Sequence, residues 1–90
     1  MSATLIVRHT VADYSSWRKV YDEVGPLRDR HGCTKQAVFQ LPTDANDVLV
    51  IHEFPSVDQA SAFAGDANLR TAMDRAGVSA PPRIEIFKGA

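Results

Sequence analysis

Two histidines fall where an imidazole among apolar neighbours can do chemistry. His9 lies in the alternating run Thr4 to Val11, on the face shared by Leu5, Val7 and Val11. Its ordinary pKa is near neutrality, so it could act as a general base or hydrogen-bond a substrate oxygen. It could equally be a satisfied core group that holds the first helix through Asp13 or Tyr14. His52 shares its strand face with Val50 and Phe54 and is a second pocket candidate. Tyr14, Trp17 and Tyr21 recur at helical spacing as an aromatic line. Such a line is ordinarily core, but its polar tips want partners, and a flat aromatic substrate would suit the wall it makes. Phe39, Phe54, Phe63 and Met73 could extend that lining, methionine being adaptable filler for a variable ligand.

Metal chemistry finds less support. If the first and third strands pair end to end, His9 lies opposite Leu49 and His52 opposite Ile6. The histidines are then about 10 Å apart at ~3.4 Å per residue, too far to share a metal whose bonds are about 2 Å long. His31 and Cys33 are two apart with no third ligand, so no metal site is expected. No phosphate-binding glycine loop, nucleophile elbow or dinucleotide fingerprint occurs.

These residues need elements to hold them. Thr4 to Val11 alternates and is rich in β-branched types, which predicts a strand. Asp13 can cap the next helix, whose apolar stripe is Trp17, Val20, Tyr21, Val24 and Leu27. Gly25-Pro26 predicts a kink or split, because proline lacks a donor and its ring clashes with the preceding turn. His31-Gly32 reads as the helix end, with Gly32 in the left-handed position. A second strand from Thr34 to Leu41, a polar turn over 42–47 and a third strand from Val48 to Phe54 form a hairpin. Ser56 and Gln59 have capping-box spacing, and Ala60, Phe63 and Ala64 mark the inner side of the helix that follows. Gly65-Asp66 interrupts it. Asp66 caps a further segment through Leu69, Met73 and Ala76, and Gly77 stops that segment. Arg83 to Lys88 alternates as the last strand.

This order over residues 1–90 predicts a single α+β domain, ferredoxin-like and built β-α-β-β-α-β. It is a four-stranded antiparallel sheet with the helices on one face. Right-handed crossovers place the first strand between the third and the fourth.

Composition narrows the partners. Ten basic and eleven acidic side chains leave a formal charge of −1 with no basic stripe, which argues against nucleic acid. Apolar runs such as Val48-Leu49-Val50-Ile51 fall far short of the roughly 20 residues a membrane span needs. Cys33 is the single cysteine, so no internal disulfide forms. No charged-then-apolar leader pattern is present, and a cytoplasmic location is expected.

The third strand breaks the alternation expected of a sheet wetted on one side. Val48, Val50, His52 and Phe54 take one face, but Leu49 and Ile51 take the other, joined by Ile6. A patch of this kind favours association, and covering each such side chain is worth roughly 1.5–3 kcal/mol. A homodimer through the outer sheet face is expected, with Glu53 as an interface or edge contact. The alternative is a monomer with one short apolar segment outside.

The stretch Leu5-Ile6-Val7-Arg8-His9, followed by Asp13-Tyr14 and Trp17, resembles the start of small proteins of the dimeric α+β barrel superfamily. Asp44 to Val50, Glu53-Phe54, Phe63-Ala64 and Met73-Asp74-Arg75-Ala76-Gly77-Val78 continue the likeness over nearly the whole chain. The closest named group is the antibiotic biosynthesis monooxygenase family with its uncharacterised, cyclase-labelled relatives. The resemblance implies sheet-to-sheet pairing into a dimeric α+β barrel, with a pocket between helices and sheet in each protomer. It also implies a small cofactor-independent enzyme, monooxygenase- or cyclase-like, acting on a hydrophobic aromatic or polyketide-like molecule. His9 would be its catalytic base or orienting donor. Tyr14, Trp17, Tyr21, His52, Phe54, Phe63 and Met73 would line the substrate. The other reading is a non-catalytic dimeric module whose pocket holds a ligand or is simply filled. An open cavity at His9 favours an enzyme or binder, and a closed one the structural role.

Overall fold

The alternation around His9 becomes β1 (Ala3–Thr10) in a computed structural model that describes residues 2–78 and 81–90. Leu5 and His9 are buried on the helix side, and Arg8 points outward. β1 pairs antiparallel with β3 (Asp44–Phe54) on one side and β4 (Arg83–Lys88) on the other, and β2 (Lys35–Leu41) closes the order β2-β3-β1-β4. The first strand is therefore central, as right-handed crossovers require. The helices pack on one face of this antiparallel sheet, in the ferredoxin-like α+β arrangement expected.

Asp13 caps α1 (Tyr14–Glu23), its carboxylate accepting from the Ser16 amide at 2.9 Å. Gly25-Pro26 splits the helix: Val24 leaves helical geometry and α2 (Gly25–Arg30) starts with Pro26 in its first turn, where no amide donor is needed. Gly32 follows at φ +83°. Ser56 caps α3 (Val57–Ala64) and Asp66 caps α4 (Ala67–Arg75), each accepting from an amide of the first turn. The side chain of Ser56 also donates to Oε1 of Gln59.

Two expectations change. The hairpin turn is only Pro42-Thr43, and β3 begins at Asp44 rather than Val48. Polar residues there still pair, past an irregularity at Gln40/Leu41. The register also differs: His9 pairs with Val48, and His52 with Leu5. Antiparallel partners share a face, and His9 and Leu49 point to opposite faces, so the end-to-end pairing could not hold. From Leu5 to His9 along β1 is about 14 Å at ~3.4 Å per residue, which takes the histidines further from any shared metal.

Two buried clusters fill the space between helices and sheet. One joins Leu5, Leu27, Phe54 and Phe63, and the other Val11, Trp17, Tyr21, Val48 and Val50. On the outer face Ile6, Leu49 and Ile51 are half-buried, while Phe39 and Phe87 are 50% and 55% exposed. Among the described residues no helix is long and apolar enough to cross a membrane.

Candidate active site

A cavity of about 50 Å³ lies between the sheet and the helices. Val7, His9, Val50 and His52 form its floor. Trp17, Tyr21, Val24 and Arg28 come from α1, its end and α2, while Phe63, Leu69, Ala72 and Met73 come from α3 and α4. An apolar cavity of about 150 Å³ takes a benzene, so this one has room for water only as it stands. Met73 separates it from an open groove of about 490 Å³ bounded by α4, Pro81, Pro82 and Ile84.

His9 is 7% exposed and stands edge-on to Trp17, ring centres 5.5 Å apart. Neither ring nitrogen has a hydrogen-bond partner in the protein. The restraints that would make it a satisfied core histidine are engaged elsewhere. The Asp13 carboxylate holds Ser16, and the Tyr14 hydroxyl accepts from Arg18 at 3.5 Å. Leaving a buried polar group unpaired costs about 1–3 kcal/mol. Burial lowers the pKa of His9, so the ring stays neutral at pH 7 and keeps a lone pair.

His52 differs. Its Nε2 is 2.8 Å from the Tyr21 hydroxyl, and that hydroxyl is 3.4 Å from Oε1 of Gln36. The Gln36 oxygen can only accept, so the arrangement satisfying most groups runs from Nε2–H of His52 to the Tyr21 oxygen, and from the Tyr21 proton to Gln36. Nδ1 of His52 then carries the unpaired lone pair. Burial, aided by the Arg28 charge, pushes its pKa down to about 4. Burial also raises the Tyr21 phenol.

The aromatic line is real and longer than the helix. Trp17 stacks on Tyr21 at 5.0 Å, Tyr21 on His52 at 5.8 Å, and His52 meets Phe63 edge-on at 5.5 Å. Trp17, Tyr21, His52, Phe63 and Met73 line the cavity. Two other proposed lining residues stand outside it: Tyr14 lies behind Trp17, and Phe54 is packed against Phe63 in the core. Phe39 points outward on β2.

Arg28 was not among the residues singled out from the sequence. It is 4% exposed, its Nη1 donates to the Tyr21 carbonyl at 2.8 Å, and its guanidinium carbon lies 4.0 Å from the centre of the Tyr21 ring. The signal was present: Trp17, Tyr21 and Val24 lead by helical steps to position 28.

Among the described residues no three His, Cys, Asp or Glu side chains gather as metal ligands. His31 instead pairs with Asp66 at 2.8 Å, and the Cys33 thiol donates to the Lys35 carbonyl. What remains is an apolar chamber with one free neutral base, one hydrogen-bonded neutral histidine and one cation, suited to taking a proton from an aromatic or enolisable molecule.

No protein-family model matches the chain, and no curated protein matches it by sequence. Solved structures do. One, provisionally named an antibiotic biosynthesis monooxygenase, from Bordetella bronchiseptica, superposes at TM-score 0.82 with 15% identity over 99% of this chain and 97% of that one. SnoaB, a cofactor-independent oxygenase from Streptomyces nogalater, gives 0.81 with 13% identity over 99% and 93%. A further provisionally named antibiotic biosynthesis monooxygenase, from Nitrosomonas europaea, gives 0.79 with 15% identity over 98% and 89%. The chain thus has the ferredoxin-like fold of the antibiotic biosynthesis monooxygenase structures.

Proposed function

We propose that this chain is a small cofactor-independent enzyme, monooxygenase- or cyclase-like, in which His9 takes a proton from a hydrophobic aromatic or polyketide-like molecule. It works as a cytoplasmic homodimer paired through the outer sheet face. The observation that carries the reading is His9 itself, a buried neutral imidazole with both nitrogens unpaired at the wall of an apolar chamber. An acidic C–H or O–H brought to that lone pair would give up its proton and leave an enolate or phenolate. Such an electron-rich anion can react with dioxygen or close a ring on its own carbonyl, so the protein's part is deprotonation and the exclusion of water. The fold shared with SnoaB supports the oxygenase form by analogy only.

The chamber must open to do this. Met73 lines both the chamber and the groove beside it, and its unbranched thioether chain can swing without breaking a hydrogen bond. A swing would merge about 50 Å³ with about 490 Å³, enough for a fused-ring substrate. The rival reading, a non-catalytic dimeric binding or structural protein, draws on the same small volume.

Oxygen uptake with anthrone tests the enzyme. Anthrone and one dioxygen give anthraquinone and one water, with the first proton going to His9. Wild type should exceed the spontaneous rate, and His9→Ala should lose roughly 10²–10⁴-fold of that excess while keeping its circular dichroism. An unchanged rate in His9→Ala would remove His9 from catalysis. Binding of aromatics with no turnover of any would leave the binding module.

A further inference from the structure

Arg28 is the one charged side chain on the chamber wall. A buried cation is costly unless paired, and its ordinary partner is a carboxylate. Among the described residues no carboxylate lies within ion-pair distance of it. Asp29, its neighbour in the chain, lines the outer groove with Lys35 but does not reach it. One hydrogen bond, from Nη1 to the Tyr21 carbonyl, and the face of the Tyr21 ring are what the protein gives it. Among the described residues Nε and Nη2 have no acceptor, and both remain within reach of water. Nη2 lies on the Gly25 side, where a Cβ would meet it at 3.6 Å, an ordinary contact distance. Arg28 lines both the inner chamber and the groove of about 270 Å³ by Gly25, Thr34 and Gln36, so it forms the wall between the two.

We propose that Arg28 is the anion subsite of this chamber, and that the ligand is a planar aromatic carboxylate seated on the free guanidinium edge, its rings running past Tyr21 and His52 towards Met73. The proposal rests on the small-molecule reading of the chamber and names the ligand's class within it. The Nε and Nη2 pair offers the two parallel donors that a carboxylate accepts, and a guanidinium remains cationic in proteins. The Tyr21 ring already carries the guanidinium on its face, so the fork is held in place before a ligand arrives.

Trp17 is the only tryptophan and lies on the chamber wall, so its fluorescence reports binding. The probes are 2-naphthoate and naphthalene-2-carboxamide, which share shape and differ in charge, titrated at pH 7.5. Wild type should bind the naphthoate about tenfold or more tightly than the amide, the scale of one charge-assisted pair. Arg28→Met should erase that difference. Equal affinities in wild type, or a preference that survives in Arg28→Met, would overturn the subsite and leave the chamber a binding site. If neither probe binds, the small-molecule reading falls and takes the subsite with it. Should Arg28→Met fail to fold, Arg28→Lys decides. It keeps the charge and loses the fork, so the naphthoate's advantage over the amide should shrink severalfold, and an undiminished advantage overturns the proposal.

Discussion

A histidine kept neutral by burial makes a protein sensitive to acid. His52 has a folded pKa of about 4 against an ordinary 6.5. Between those values the unfolded chain binds the proton and the folded chain does not, so stability falls as pH drops from 6.5 towards 4. Integrated, the loss is on the order of 3 kcal/mol, and His9, lowered by burial too, adds in the same direction. Asp13, Asp47 and Asp66 are held below their ordinary range by hydrogen bonds and act at lower pH, below about 4. Urea unfolding at a series of pH values should therefore show wild type weakening steadily from pH 6.5 to 4. His52→Gln, which can still bond the Tyr21 hydroxyl, should be markedly flatter over that window. An unchanged slope would mean that His52 is not held neutral. Both histidines were legible in the sequence because strand phase alone decides which face a residue takes. Arg28 was not, since a charged residue near a helix end reads as solvated until its place on the Trp17–Tyr21–Val24 stripe is counted.

Helix boundaries were legible wherever a residue's own chemistry set them. Asp13, Ser56 and Asp66 cap, Pro26 splits, and Gly32 and Gly77 turn at positive φ. The start of β3 was not, because Asp44 to Asp47 carries turn composition. Tertiary bonds decide there: Asn46 accepts from the Val11 amide through its carbonyl and from the Tyr14 amide through its side chain. Gly32 shows how sharply one turn is fixed. A Cβ at φ +83° would lie 2.6 Å from Nε2 of Gln59, which donates to the His31 carbonyl. Gly32→Ala should cost about 1–2 kcal/mol in thermal unfolding. Adding Gln59→Ala should relieve the crowding and leave the backbone part, so the effects of the two changes should not add. α4 is the weakly anchored element, with Ala72 its one fully buried residue and Leu69 and Met73 half-buried. Amide hydrogen exchange should accordingly be faster in α4 than in the paired centre of β1 and β3, as a chamber that opens at Met73 requires. Equal protection would place the opening elsewhere.

The whole molecule leaves one face of its sheet without cover. Ile6 and Ile51 pair across its centre, Ala37 and Phe39 continue the apolar row onto β2, and Phe87 stands opposite Thr4 on β4. The Arg8–Asp47 ion pair borders it at one end. Two aromatic rings half-exposed on a four-stranded sheet favour association with a second copy. A stable pair buries roughly 800 Å² on each partner. The sequence showed the centre of this patch, because Leu49 and Ile51 break the alternation. It did not show Phe39 as part of it, since the face of β2 depends on a register that only pairing fixes. Ile51→Lys puts a charge at the middle of the patch while the residue still points away from the chamber. Wild type should sediment as a dimer with a melting temperature that rises with concentration, and Ile51→Lys as a folded monomer whose melting temperature does not. A wild type that stays monomeric at every concentration would refute the pairing. The chamber, on the opposite face, would keep its residues.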